Sequence, residues 1–144
     1  MYYALHHVQL TCPAGSEPVL RGFYGGVMGM TELVKPPRLA ARGGAWFRYP
    51  EDGGVEFHIG VEADFRPARK GHPGVVWGDL TEPTALADRL TAADRPVEWD
   101  EELHDVPMRL NGSADPVINP GGMWRFCTVD PHGNRIELMA PRDR

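Results

Sequence analysis

Residues 4–12, Ala4-Leu5-His6-His7-Val8-Gln9-Leu10-Thr11-Cys12, alternate with a period of two. Val8 and Leu10 fall on one face and His7, Gln9 and Thr11 on the other, which predicts a β-strand. Pro13-Ala14-Gly15 ends it, and Ser16 stands where a helix N-cap is expected, with Glu17 and Pro18 in the first turn. Leu20, Phe23, Tyr24 and Val27 keep helical spacing until Gly25-Gly26 and Gly29 loosen it. Three strand-like runs follow, Thr31 to Val34, Ala45 to Tyr49 and Val55 to Val61, separated by Pro36-Pro37 and by Glu51-Asp52-Gly53-Gly54.

The pattern then starts again. After a linker from Pro67 to Gly71, His72 to Leu80 reads as a strand and Pro83 to Ala93 as a helix with Leu86, Leu90 and Ala93 on one side. Val97 to Leu103, Trp124 to Val129 and Arg135 to Met139 read as strands, the last two joined by the turn Asp130-Pro131-His132-Gly133-Asn134. Strand, helix and three strands therefore occur twice, and such a repeat says more about fold than any single element. The expected class is α+β, with one module over about 1–66 and a second over about 70–141 inside a single domain, 1–144. Two such sheets, each with a helix outside, can curl around one cavity.

Aligned in this order, His7 corresponds to His72, and Glu56 to Glu137. Glu56 follows His7 by 49 positions and Glu137 follows His72 by 65, and the excess of 16 falls in Asp105 to Gly122. That stretch is polar, rich in Pro and Gly and longer than most connections, so a lid over a site is expected there. Two imidazoles and two carboxylates on strands facing one cavity form a ligand set suited to a divalent Zn, Ni, Co, Mn or Fe ion. Four protein ligands on a six-coordinate ion leave two positions open, the mark of a catalytic site. His58, two residues beyond Glu56 on the same strand face, competes with it as ligand or serves as a base beside it. Pro73 removes one strand amide directly after His72, and either sits harmlessly at the strand's first turn or displaces the ring. His6 has the opposite parity to His7, and His104 and His132 fall in loops. Trp46 and Trp124 are the pocket candidates, while the other strand aromatics read as core.

Composition narrows the classes. Gly 17 and Pro 14 in 144 residues disfavour long helical bundles, coiled coils and solenoids. Fifteen basic against 20 acidic residues, a formal net charge of −5, leave no footprint for nucleic acid or an anionic membrane. No apolar run approaches the ~20 residues of a membrane span. Met1-Tyr2-Tyr3-Ala4 do not open as a signal peptide, and a cytoplasmic protein is expected. Cys12 and Cys127 are far apart, outside any CxxC pair, and read as reduced core thiols.

Leu5-His6-His7-Val8-Gln9-Leu10, Phe23-Tyr24 followed by Gly29-Met30, and Asp130-Pro131-His132-Gly133-Asn134-Arg135-Ile136-Glu137-Leu138 resemble the vicinal oxygen chelate superfamily. That group includes glyoxalase I, extradiol dioxygenases, fosfomycin-resistance enzymes and bleomycin-binding proteins, and the resemblance covers nearly the whole chain. It implies paired βαβββ modules forming an open barrel of mixed sheet, helices outside, around one divalent metal ion. The glyoxalase pattern implies ligands at His7, Glu56, His72 and Glu137. The dioxygenase and fosfomycin patterns imply only His7, His72 and Glu137. A homodimer is also implied, with the site inside one chain or shared by two.

The first functional expectation is a metal-dependent, glyoxalase-like lyase or isomerase acting on a small oxygenated metabolite. The ion would chelate neighbouring oxygens and stabilise an enediolate, and Glu137 or Glu56 would move a proton. Two alternatives stand beside it. One is a drug- or natural-product-binding protein of the bleomycin-resistance type, without catalysis. The other is an extradiol-type dioxygenase with iron held by His7, His72 and Glu137.

Overall fold

The computed structural model describes residues 5–49, 54–77, 83–104, 108–109, 118–119 and 122–142. Its elements run β1 (His7–Cys12), α1 (Glu17–Leu20) passing into a π-helical stretch (Arg21–Val27), β2 (Thr31–Leu33), α2 (Pro37–Ala40), β3 (Ala45–Tyr49) and β4 (Val55–Val61). The repeat follows as β5 (Gly74–Val76), α3 (Pro83–Ala92), β6 (Glu98–Trp99), a 3-10 turn (Glu101–Leu103), β7 (Met108–Arg109), β8 (Ile118–Asn119), β9 (Met123–Val129) and β10 (Arg135–Pro141). The chain divides into two compact units: residues 5–73 with 129–135, and the described residues of 74–128 and 136–142.

The amino-terminal unit holds a mixed four-stranded sheet in the order β1-β4-β3-β2. β1 runs parallel to β4 with His7 opposite Glu56, while β3 is antiparallel to both β4 and β2. One face carries Ala45, Phe47, Phe57 and Ile59, all buried, with Tyr24 packed against Phe47 and Phe57 at ring separations of 5.3 and 6.0 Å. Leu20, Phe23, Tyr24 and Met28 complete this core; the helical spacing in the sequence marks the first three, but Val27 is only half-buried and Met28, just past the π-helical stretch, is buried instead. The Gly25-Gly26 pair lies within the π-helical stretch, where the Met28 amide reaches back to the Phe23 carbonyl at 2.8 Å.

In the second unit the order is β5-β10-β9-β6, with β5 parallel to β10 and β6 antiparallel to β9. Ile136, Leu138 and Ala140 alternate inward on β10 and are buried, as are Leu86, Ala87 and Leu90 of the α3 segment. Two βαβββ modules are therefore present, each with its first strand beside its last. β7 and β8 pair with each other in a small separate ladder. No described helix is long and apolar enough to cross a membrane.

Several expectations need correction. Ser16 does not cap α1 with its side chain; its hydroxyl donates instead to the Pro13 carbonyl at 2.6 Å. A short helix, α2, begins at Pro37, where the fixed proline φ suits a first helical turn, although the sequence reads there only as a break. The strand expected from His72 begins only at Gly74, and positions 78–80 lie outside the described residues. The strand expected over Val97–Leu103 is two residues long and gives way to the 3-10 turn. Within Asp105 to Gly122, only the β7–β8 ladder and Gly122 are described. Cys12 and Cys127 are both free thiols.

The Asp130–Asn134 turn is held by its own polar atoms. Asp130 Oδ1 accepts the His132 and Asn134 amides, each at 2.9 Å, and Oδ2 accepts Tyr24 Oη and Asn134 Nδ2, each at 2.8 Å. Asn134 Nδ2 also donates to the Thr11 carbonyl at 2.8 Å, and Gly133 sits at φ +88°, where a side chain would strain the backbone. The Asp-Pro-x-Gly-Asn motif is thus explained by turn geometry and a buried network rather than by catalysis.

Candidate functional site

β4 is the strand that builds the site. Its residues Glu56, Phe57, His58 and Ile59 are all buried, so both faces are covered. Phe57 and Ile59 join the apolar core, while Glu56 and His58 turn to the other face. Register sets their neighbours: His7 and Arg48 flank Glu56, and Gln9 and Trp46 flank His58. Two buried polar side chains on a strand interior need partners.

They have them. Arg48 donates to Glu56 Oε1 through Nε at 3.1 Å and also through Nη2, while His58 Nε2 lies 2.9 Å from Glu56 Oε2. The Arg48 hydrogen bonds, seconded by His58, hold the Glu56 carboxyl down at about 2. Burial pushes the His58 imidazole below its usual value, and the Glu56 contact only partly offsets that. A neutral His58 beside an ionised Glu56 must carry its proton on Nε2, which leaves Nδ1 as an acceptor. The ring is also stacked on both sides, on Trp46 at 4.0 Å and 6° and on His7 at 4.0 Å and 11°. His6 Nδ1 approaches His7 Nδ1 at 2.9 Å, and in the neutral pair one ring donates and the other accepts. His6 therefore joins this cluster despite its opposite parity.

Beside the cluster lies a groove of about 510 Å³ whose lining includes His6, His7, Lys35, Arg42, Trp46 and His58. Gly43 is part of the same lining, and it and Gly44 sit at φ +77° and +76°. A Cβ on Gly44 would stand 2.1 Å from the Ile59 carbonyl oxygen, so only glycine lets this loop approach β4. Sequence reading missed Lys35, Arg42 and Arg48. The Arg-Gly-Gly run at 42–44 was the available signal for a close backbone approach.

In the second unit, Glu137 of β10 repeats the Glu56 arrangement. Arg125 of β9 donates to its Oε1 through Nε at 3.0 Å and Nη2 at 2.6 Å. The register differs from the sequence alignment, however. Glu137 pairs with Gly74, as Glu56 pairs with His7, so the counterpart of His7 is Gly74 rather than His72. His72 stands two residues before the strand, exposed, with Nδ1 donating to the Lys70 carbonyl at 2.7 Å. It belongs with His7, Glu56 and His58 to the amino-terminal unit, and Glu137 to the other. Trp124 has the opposite strand parity to Arg125 and packs with Trp99 and His104, with the Arg142 guanidinium 4.9 Å from its ring centre.

A divalent ion requires carboxylate lone pairs turned toward it, and a guanidinium alongside repels it. Both Glu56 oxygens are engaged by Arg48 and His58, and Glu137 is forked to Arg125. Among the described residues, no three His, Cys, Asp or Glu side chains gather as metal ligands do. Within its own unit, each glutamate of the expected set is thus already paired with an arginine, an environment that does not suit a cation at the same oxygens.

Solved structures resemble this chain along its length. A glyoxalase family protein from Bacillus anthracis is 33% identical, with a TM-score of 0.75 and coverage of 99% of this chain and 98% of that one. A glyoxalase/dioxygenase from Nostoc punctiforme is 18% identical with a TM-score of 0.65, covering 97% and 92%. The oxidase ChaP-H2, at 13% identity and a TM-score of 0.62, covers 99% and 96%. No family model and no curated protein matches the sequence.

Proposed function

This chain belongs to the glyoxalase family of the vicinal oxygen chelate superfamily, and from that premise we propose that it is a small-molecule-binding protein that works without a resident metal ion. The supporting observation is the repeated arginine lock. Each carboxylate that the family pattern would turn toward a metal is instead charge-paired with an arginine on the neighbouring strand. An ion pair of this kind stabilises the carboxylate and opposes a second cation at the same oxygens. The groove of the amino-terminal unit, with its stacked Trp46, His58 and His7, is the place for the ligand. Its volume lies within the few hundred to about a thousand Å³ usual for small-molecule sites. This is the binding-protein alternative, and it takes precedence over the lyase or isomerase reading.

One observation favours a metal nonetheless. Donation from His72 Nδ1 to a backbone carbonyl leaves the neutral ring with its acceptor at Nε2, as in histidines that serve as metal ligands. Elemental analysis separates the two readings. After incubation with Zn, Mn, Fe, Co or Ni salts and dialysis, the purified protein is expected to retain far less than one equivalent, and chelator should leave its thermal unfolding unchanged. One equivalent per chain, lost in His7→Ala, His72→Ala or Glu137→Ala, would refute the proposal.

A further inference from the structure

The groove of the amino-terminal unit carries charge opposite to that of the whole chain. Its lining includes Lys35, Arg42, three imidazoles and the Gln9 amide, and among the described residues no Asp or Glu, in a protein of formal net charge −5. One carboxylate, Glu17, stands behind the same loop, where its Oε1 accepts the Gly44 amide at 2.9 Å and its charge interacts with both Arg21 and Lys35. Charges of one sign along a concave wall focus an electrostatic potential that draws the opposite charge.

The cations are placed rather than scattered. Lys35 Nζ donates to the Gly43 carbonyl, which anchors the half-buried ammonium and leaves two further protons to donate. Arg42 directly precedes the two glycines that hold the loop against β4, so the backbone constraint at Gly44 also sets where its guanidinium starts. The Trp46 indole lies 5.9 Å from Lys35 Nζ and stacks on His58 at 4.0 Å, and Leu39 and Val61 add apolar lining. Guanidinium and ammonium together suit a carboxylate or phosphate, and an indole wall suits a flat ring.

We propose that this groove binds a small planar organic anion, its acid group held by Lys35 and Arg42 and its ring laid along Trp46. The assignment rests on the reading that a small molecule occupies this groove, and it adds the ligand's chemical class. Neither the arginine-locked glutamates nor the second unit takes part.

The test follows the Trp46 indole N–H by NMR, assigned with Trp46→Phe, while the full-length protein is titrated with benzoate, phenylphosphate and neutral benzamide. Both anions should shift the Trp46 signal, with benzamide at least about ten-fold weaker, the usual scale of one charged hydrogen bond. Arg42→Gln should weaken both anions by about ten-fold and leave benzamide unchanged. Arg42 is exposed, so this variant should unfold at the parent temperature; Lys35→Met, which also loses the Gly43 contact, is the second variant. Benzoate and phenylphosphate arms separate a carboxylate from a phosphate ligand. Equal affinity for benzamide, an Arg42→Gln protein that binds the anions undiminished, or a Trp46 signal that answers neither anion would overturn the assignment. Benzamide binding to metal-poor protein, without anion preference, would sink this inference and leave the proposed function standing.

Discussion

A carboxylate that is only 8% exposed keeps its charge only where something meets it, and Glu56 is met twice, by Arg48 and by His58. Its folded pKa of about 2 lies below the ordinary 4.5, so folding favours the ionised form. The stability this contributes is therefore complete above about pH 4.5 and disappears as pH falls toward 2. Arg48→Ala should cost about 1–3 kcal/mol at pH 7, less than a fully buried pair because the Arg48 side chain is 31% exposed. Without Arg48 the Glu56 pKa should lie closer to its ordinary 4.5, so the variant should lose less stability between pH 4.5 and 2.5 than the parent does. Urea unfolding between pH 2.5 and 7 checks both, and parallel pH profiles for the two proteins would show that the pair contributes nothing. His58 was legible in the sequence as a rival to Glu56. That the two are hydrogen-bonded partners was not, because a period-two pattern gives a shared face but no rotamer.

At the scale of the element, β3 and β4 match the sequence reading residue for residue, since alternation with flanking Pro and Gly is a local property of the chain. The runs expected from His72 to Leu80 and from Val97 to Leu103 kept only Gly74–Val76 and Glu98–Trp99 as strand among the described residues, because the extents of β5 and β6 depend on pairing with β10 and β9. The loop before β3 is governed by sterics rather than pattern. Gly44→Ala places a Cβ 2.1 Å from the Ile59 carbonyl at a φ of +76°, so β3 must shift away from β4. A loss of about 2 kcal/mol or more is expected. Differential scanning calorimetry measures that loss, and a parent-like melting temperature would mean the loop has room to move.

For the whole molecule, the longest-range polar link described is the Asp130 network, which ties a turn late in the chain to Tyr24 and Thr11 of the amino-terminal unit. Asp130→Ala leaves Tyr24 Oη and two turn amides without their acceptor in a buried setting. It should cost about 2–4 kcal/mol. Hydrogen exchange should show the lost protection concentrated in residues 5–73, and an even loss across both units would count against this grouping. The paired modules, most of their strands, the turn motif and family membership were all determined by the sequence, because alternation, punctuation and short motifs are carried by residues close together along the chain. Only the tertiary structure decided that His72 lies out of register with His7, that arginines hold both glutamates, and that Lys35, Arg42 and Trp46 line one groove. Those outcomes depend on which atoms meet across strands, and cross-strand register and charge partners are settled by packing rather than by spacing.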